Sequence, residues 1–403
     1  MLLFTTHRII EMRRVNTILI IILLAVMIGY SGCKQSDTQS DDLITVDVTK
    51  TYSQKKELIL QDFMDVEYVV LETNDEFINQ GSVRAIGNNY ILATNYNQVR
   101  DGNIFVYSRT GKALRKINHL GQGPEDYSNI MEIILDEDND EIYIHNHYER
   151  KIQVYDLYGT FERSLKYKEN TNGMFYTDIV NYDKNNLICF DKFNEERAFV
   201  LISKQDGKIT NKINIPFKET KLLQQINTSS NIPADPGYYR SIITFKGDFI
   251  LLEHSSDTVY TFLPDYSLRP FIVRTPVIQK MDPGVFLLLR LFSDRYYFME
   301  TVKNEFNFNT RNGFPRTFIM YDKLEKSFSE YTVYNGDFLT KKEIYMNVLM
   351  PVNHEIESWY PFEAFQLVDS YKKGELKDGR LKEIAAKLDE DDNRVIMLVK
   401  HKK

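Results

Sequence analysis

Two histidines, His145 and His147, lie two positions apart in a segment that alternates like a β-strand. Alternate residues of a strand share one face, so the two imidazoles have an acceptable spacing for binding one metal ion. The sequence identifies no third ligand, and the same side chains could instead line an opening without metal or face solvent. Asn146 lies between them, and Asp191 and His254 follow later strand-like runs at comparable positions. These five residues are the candidates for lining a central channel, and no metal site is assigned.

An acidic cluster precedes these histidines. Asp136, Asp138 and Asp140 alternate like the start of a calcium-binding loop. However, the sixth position of such a loop would be Glu141 where glycine is required, and the twelfth would be His147 where glutamate is required. The cluster therefore predicts a solvated hairpin turn rather than a calcium site.

The remaining nucleophiles and aromatic residues do not assemble into a catalytic set. No Ser/His/Asp or Cys/His combination can be built from the sequence, so catalytic residues stay unassigned and we expect a non-enzymatic protein. Cys189 lies in an apolar run, and the chain has only two cysteines, so we expect no disulfide and a small buried side chain. Trp359 is the only tryptophan, which gives little basis for a sugar-stacking platform.

The first 42 residues predict export and anchoring. Arg13 and Arg14 precede an apolar run over residues 18–28, and Ser31-Gly32 leads into Cys33. This order resembles a bacterial lipobox, in which the cysteine is diacylated and becomes the first mature residue. We expect a signal peptide over residues 1–32, lipidation at Cys33 and a flexible tether over residues 33–42. The net charge of −7, without a basic stripe, argues against nucleic acid as a partner.

A repeat organises the rest of the chain. Gly111, Gly159 and Gly207 are each 48 residues apart, and each follows a β-branched and aromatic run and precedes a second alternating segment. Recurring hairpins with about four short strands per unit are typical of β-propeller blades, because one such sheet buries its faces only against its neighbours. The fold class is therefore all-β, and residues 43–403 form one propeller domain.

Ring closure follows from the strands left over at both ends. Five blades can be followed from about residue 90 to residue 334, and a short amphipathic helix is predicted over residues 376–388. The last strand, residues 395–399, has no blade of its own. We expect a sixth blade in which residues 43–48 or 67–71 pair with this strand, so that no sheet edge stays open.

Two local patterns carry a family resemblance. Gly121, Gly123, Pro124 and Tyr127 form a Gly-x-Gly-Pro-x-x-Tyr element that, with the closing strand over residues 392–400, resembles the six-bladed β-propeller lipoproteins of Bacteroidetes. Residues 142–156 are similar to an NHL repeat. The resemblance covers the mature chain but departs at Arg394 and around residues 305–315. The resemblance implies a propeller fold and a cell-envelope address. The glycines themselves could suggest a phosphate-binding loop, but no Lys-Ser/Thr and no helix follow, so we expect a tight turn between blades in which glycine supplies positive φ.

These observations support three functional hypotheses. The first is a lipid-anchored, non-enzymatic binding module of the outer membrane, periplasmic or surface-exposed, that needs no cofactor and binds an unknown protein, peptide or glycan. The second is a metal-dependent hydrolase or lyase of the gluconolactonase or NHL type, with Ca²⁺ or Zn²⁺ at the channel. The third is a surface accessory protein for polysaccharide or peptide capture, which the acidic tether residues after Cys33 favour.

Overall fold

The computed structural model describes residues 43–79, 82–95, 101–146, 149–166, 176–193, 199–237, 239–346 and 356–402. Its strands and helices belong to one unit that extends from Ile44 to Lys403. Cys33, His147, the signal peptide and the tether lie outside the described residues, so these parts of the sequence analysis stay predictions. Within the described ranges, no helix has the length and apolar character needed to cross a membrane.

Three strands precede the first blade, and each joins a different sheet. They are β1 (Ile44–Asp47), β2 (Lys55–Ile59) and β3 (Met64–Val70), with a single-turn helix α1 (Leu60–Phe63) between the last two. The alternation of buried and exposed residues in β1 follows from one covered face and one solvent face.

Blades 1 to 3 are four-stranded antiparallel sheets in simple chain order. Their strands are β4 (Ser82–Ile86), β5 (Tyr90–Thr94), β6 (Ile104–Ser108), β7 (Ala113–Ile117), β8 (Glu132–Asp136), β9 (Glu141–Asn146), β10 (Lys151–Asp156), β11 (Phe161–Lys166), β12 (Asp178–Asn181), β13 (Asn186–Phe190), β14 (Phe199–Ser203) and β15 (Ile209–Ile213). The repeated glycines lie in the turns that connect the third strand of each blade to the fourth. Their φ angles are 88° at Gly111, 94° at Gly159 and 70° at Gly207. The predicted hairpin repeat is confirmed.

Blades 4 and 5 have additional strands. The elements are β16 (Gln225–Ile226), β17 (Pro233–Ala234), β18 (Ile242–Phe245), β19 (Asp248–Leu251), β20 (Thr258–Phe262), β21 (Leu268–Thr275), β22 (Val285–Phe292), β23 (Tyr296–Lys303), β24 (Phe306–Asn307), β25 (Asn312–Gly313), β26 (Arg316–Asp322), β27 (Ser327–Asn335) and β28 (Lys342–Ile344). β1 pairs in parallel with β21 of blade 4, and β2 pairs in parallel with β27 of blade 5. Two small hairpins, β16–β17 and β24–β25, project from this half of the ring.

The sixth blade closes the ring. It contains β29 (Ile356–Phe362), β30 (Val395–His401) and β3, in the order β29-β30-β3, with Val70 opposite Val395 and Met64 opposite His401. Pairing of residues 67–71 with the last strand is therefore confirmed, whereas the alternative partner, residues 43–48, joins blade 4. Two helices, α2 (Ala364–Lys372) and α3 (Arg380–Ala385), connect β29 to β30. The helix predicted over residues 376–388 is shorter than expected, and α2 was not predicted.

The last strand is buried on both faces. Val395, Met397 and Val399 belong to one core cluster, and Ile396 and Leu398 belong to another; all five are 0% exposed. Each face therefore packs against a different neighbour, as the apolar residues on both faces of the strand predict.

The inner strands surround a central axis. β4 packs beside β8, β8 beside β12, and β12 beside β18. We call the side with the turns between first and second strands of blades 1 to 4 (residues 87–89, 137–140, 182–185 and 246–247) the turn face. The opposite side, where the connections between blades enter the inner strands, is the connection face.

The Gly-x-Gly-Pro-x-x-Tyr element connects blades 1 and 2. Tyr127 is fully buried; its hydroxyl donates to the Gly102 carbonyl at 2.6 Å and accepts the His119 N–H at 3.0 Å. The expectation of positive φ was wrong, since neither Gly121 nor Gly123 is among the described glycines with positive φ. A Cβ atom at Gly121 would lie 2.1 Å from Asp126 Oδ2, so any larger residue here would displace this carboxylate.

Candidate functional site

A cavity of about 460 Å³ opens at the turn face between the inner strands of blades 1 to 4. We call this cavity the channel mouth. Its lining includes Asn88 of blade 1, Glu132 of blade 2, Asn181 of blade 3, and Arg240 and Lys246 at blade 4. Four blades contribute to one concavity of ligand size, which is the usual position of a binding site in a closed ring of sheets.

Two buried charges, Glu132 and Arg240, line this cavity, and a third, Asp178, lies beside Arg240. Arg240 Nη2 lies 3.3 Å from Glu132 Oε1, and Arg240 Nη1 lies 4.0 Å from Asp178 Oδ1. Backbone N–H groups complete the arrangement, because Ile179 donates to Glu132 Oε2 and Ser241 donates to Asp178 Oδ2, both at 3.3 Å. One guanidinium therefore lies between two carboxylates, away from bulk solvent.

Burial dominates the ionisation of Glu132. Loss of solvent raises the pKa of its carboxyl from 4.5 to about 7; the nearby charge of Asp178 adds to this, and Arg240 opposes it. Burial likewise lowers the pKa of the Arg84 guanidinium in β4, and the charge of Glu132 partly compensates for this. Glu132 is thus a carboxyl that can change its charge near neutral pH.

These residues occupy equivalent positions in successive blades. Glu132 is the first residue of β8, Asp178 is the first residue of β12, and Arg240 lies two positions before β18. The sequence analysis did not identify them, because a charged residue before an apolar run is usually part of a turn. The signal that could have found them is the recurrence of a charge at, or two positions before, the first residue of the inner strands of blades 2 to 4.

The rim of the channel mouth is held by contacts between blades. The Glu137 carboxylate of blade 2 accepts the backbone N–H groups of Asn88 at 2.6 Å, Asn89 at 2.8 Å and Tyr90 at 3.1 Å. At blade 4, Lys246 forms an exposed ion pair with Asp294 of blade 5. Charge-assisted hydrogen bonds of this kind fix the rim without a ligand.

One polar atom of the channel mouth lacks a protein partner. Asn181 Oδ1 is buried, and no described residue donates a hydrogen bond to it. A buried acceptor of this kind costs free energy unless a water molecule or a ligand satisfies it. Asp138 and Asp183, which are exposed on the same rim, add negative charge near this acceptor. The arrangement favours a group that donates hydrogen bonds.

The predicted channel residues lie at the connection-face ends of their strands, level with Glu132 but outside the lining of the channel mouth. His145 pairs with Glu132 across β8 and β9, and Asn146, the last residue of β9, accepts a hydrogen bond from Ser128 at 3.3 Å. Asp191 directly follows β13 and is 3% exposed. These three residues lie at the connection face rather than at the channel mouth.

His254 also lies beyond the end of its strand, β19, at the connection face. Its ring stacks on Tyr239 with a centroid distance of 4.5 Å, and Lys192 Nζ lies 5.0 Å from the centre of the same tyrosine ring. Among the described residues, no group of three or more His, Cys, Asp and Glu side chains is arranged to hold a metal ion.

Three further residues of the sequence analysis have clear positions. The solvated turn predicted at Asp136 is wrong for this residue, which is 0% exposed and bonded to Lys204. Cys189 is a free, buried thiol whose pKa is raised by burial, as expected for a small apolar side chain. Trp359 is 7% exposed in a core cluster, so it forms no exposed aromatic platform.

Comparison with known proteins shows the family. The profile of a family described as "Domain of unknown function (DUF4934)" matches residues 43–275, which is more than half of the chain. The chain belongs to this family. The match begins at the first described residue and includes all residues that line the channel mouth. A search of curated proteins gave no match to this DUF4934 member.

Solved structures are similar to this DUF4934 member. A "Putative exported protein" from Bacteroides fragilis is similar with a TM-score of 0.54 and 14% identity, covering 90% of this chain and 100% of that chain. A member of the DUF4221 family from Bacteroides vulgatus has a TM-score of 0.43 and 10% identity, covering 73% of this chain and 96% of that chain. Together with the six sheets around one axis, the first comparison shows a six-bladed β-propeller.

Proposed function

We propose that this protein is a non-enzymatic binding module of the cell envelope whose ligand enters the channel mouth. The observation that carries this proposal is the unpartnered acceptor Asn181 Oδ1 in a cavity of about 460 Å³. Glu132 and Asp178 are already engaged by Arg240 and by backbone N–H groups, which suits a fixed recognition surface.

The chemistry of the rim indicates the ligand class. Asn181 offers an acceptor, and the exposed carboxylates of Asp138 and Asp183 favour positive charge beside it. A primary ammonium group donates three hydrogen bonds and carries that charge. The ligand of this proposal is therefore a peptide segment that presents a lysine side chain or an amino terminus.

Titration calorimetry with short peptides tests the channel mouth. Lysine-containing tetrapeptides should bind the wild-type protein, and acidic tetrapeptides of the same length should not. The Asn181→Leu variant, which keeps the side-chain volume but removes the acceptor, should weaken binding about tenfold or more. Asn211→Leu on the outer strand of the same blade is the matched control and should bind normally. Equal binding by both variants, or no binding of basic peptides, would contradict the proposal.

The membrane attachment is a separate part of the proposal. A lipid on Cys33 would tether residues 43–403 through the polar residues 34–42. The description of the Bacteroides fragilis protein as a "Putative exported protein" agrees with an envelope location. Palmitate labelling in a bacterial host should mark the wild-type protein and not the Cys33→Ala variant. Protease treatment of intact cells then distinguishes a surface-exposed protein, which is digested, from a periplasmic one.

A further inference from the structure

The two small hairpins form a second cavity, away from the channel mouth. β16–β17 lies in the connection between blades 3 and 4, and β24–β25 lies between β23 and β26 of blade 5. Between them is a groove of about 880 Å³, which we call the hairpin groove. It contains the region around residues 305–315 that matched no blade pattern in the sequence.

Contacts between the hairpins fix the shape of the hairpin groove. Gln225 Nε2 donates to the Asn304 carbonyl at 2.7 Å, and Asn304 Nδ2 donates to the Leu222 carbonyl at 3.0 Å. Below them, Leu223 and Phe314 are buried in one apolar cluster, and the ring of Phe306 packs against this cluster. The groove is therefore pre-formed, which lowers the entropy lost when a ligand binds.

Side-chain amides dominate the lining. Six amide side chains line the hairpin groove: Gln225, Asn227, Asn304, Asn307, Asn309 and Asn312. Two of them are oriented by their own turns, because Asn227 Oδ1 accepts the N–H groups of Ser229 and Ser230, and Asn307 Oδ1 accepts those of Asn309 and Thr310. An amide offers a donor and an acceptor side by side, which matches a pair of neighbouring hydroxyl groups.

Two further features restrict the ligand. Phe306 and Phe308 pack edge to face at 4.9 Å, so the groove has an aromatic wall against which C–H groups can pack. The charged residues among those that line it are the acids Asp282 and Glu305, and no lysine or arginine lines it. Without a cation, phosphates and other anions have no counter-charge there.

An unsatisfied polar atom also points to a ligand in this groove. Asn304 Oδ1 is buried and receives no hydrogen bond from the described residues. Amide pairs, an aromatic wall, a lack of basic groups and an open acceptor together match a neutral, polyhydroxylated molecule with apolar C–H faces. We propose that the hairpin groove binds a neutral oligosaccharide, independently of the peptide site proposed at the channel mouth.

A glycan array tests this second site. Full-length protein in detergent is applied to neutral glucan, galactan and xylan hexasaccharides, together with sulfated and uronic-acid oligosaccharides of the same length. At least one neutral hexasaccharide should bind. Phe308→Ala removes part of the aromatic wall, and Asn309→Asp removes a donor and adds negative charge; each should weaken this binding about tenfold or more.

Two control variants separate this site from the others. Asn211→Asp on the outer strand of blade 3 and Asn181→Leu at the channel mouth should bind the neutral hexasaccharide normally. Melting temperatures of all four variants verify that they are folded. The proposal is overturned if no neutral hexasaccharide binds, if only the anionic ones bind, or if Phe308→Ala and Asn309→Asp bind like the wild type.

Discussion

Lys204 Nζ of blade 3 lies 2.5 Å from Asp136 Oδ2 of blade 2, and the two side chains are 4% and 0% exposed. The same ammonium group donates to the Asp183 carbonyl at 2.5 Å, and Asn139 Nδ2 donates to Asp136 Oδ2 at 2.7 Å. A buried ion pair of this kind contributes little relative to an apolar pair, but loss of one partner leaves the other charged and buried. The pair therefore holds two neighbouring blades together.

Substitution of Lys204 should be strongly destabilising. We expect Lys204→Met to lower the free energy of unfolding by about 3–5 kcal/mol, measured by urea denaturation. The double variant Asp136→Leu/Lys204→Met should recover at least about half of this loss. Lys208→Met is the matched control, because its ion pair with Asp206 is exposed, and its free energy of unfolding should stay close to that of the wild type. A Lys204→Met variant that resembles this control would refute the interpretation.

Glu132 should make stability depend on pH. Its pKa is about 7 in the folded protein and 4.5 ordinarily, so between these values the folded protein holds a proton that the unfolded chain has released. The contribution of Glu132 to the free energy of unfolding should therefore fall as pH rises from 4.5 to 7 and level off above that. Glu132→Gln removes this contribution. The free energy of unfolding of the variant minus that of the wild type should therefore increase by on the order of 3 kcal/mol between pH 4.5 and pH 7.

Urea denaturation at several pH values between 4.5 and 8 measures this difference. Asp138→Asn is the matched control, because Asp138 is exposed on the rim and should follow the wild-type pH dependence. Parallel stability curves for wild type and Glu132→Gln would show that the carboxyl titrates at its ordinary pKa.

Removal of the closing strand should open the ring. A chain that ends at Asn393 loses five side chains that are 0% exposed and leaves β3 and β29 without their shared partner. The lost apolar burial alone is on the order of 10 kcal/mol, so we expect no cooperative thermal transition near that of the wild type. Removal of residues 402–403, which follow β30, is the control. A melting temperature within about 2 °C of wild type for the longer deletion would mean that β30 is peripheral.

Alanine substitutions at two glycines with positive φ distinguish the stability cost of backbone strain from that of steric crowding. A Cβ at Gly111 would lie 1.9 Å from the Val70 carbonyl oxygen of β3, whereas one at Gly374 would have no atom within 4 Å. Gly374→Ala should cost about 1 kcal/mol from backbone strain. Gly111→Ala should cost at least about 1 kcal/mol more, because β3 must move. Equal losses in thermal or urea unfolding would show that β3 does not approach the Gly111 turn.

The sequence was sufficient for features that depend on local patterns. The repeated glycines predicted the turns between third and fourth strands, because each needs positive φ. The apolar residues on both faces of β30 predicted its burial, and the lack of a blade for this strand predicted its pairing with an N-terminal strand. The turns and the burial of β30 depend on a few neighbouring residues, whereas the pairing of β30 followed from the count of strands that five blades leave over at both ends.

Features that depend on distant partners could not be predicted in this way. The local sequence around Asp136 indicates a turn residue. Its partner Lys204 is 68 positions later, so only the fold shows that the two side chains form a pair. Asn181 and Asn304 became site residues only when the surrounding blades showed that their carbonyl oxygens are enclosed and unpaired. The hairpin groove likewise joins β16–β17 and β24–β25, two insertions without an internal pattern of their own.

The pairing of β3 with β30 has a consequence for biosynthesis. The ribosome makes β30, which completes the sixth blade, more than 300 residues after its partner β3. During translation β3 therefore remains an open sheet edge, and such edges can pair with other chains. Until residue 401 has been made, a nascent chain of this protein has to be kept from pairing with its neighbours.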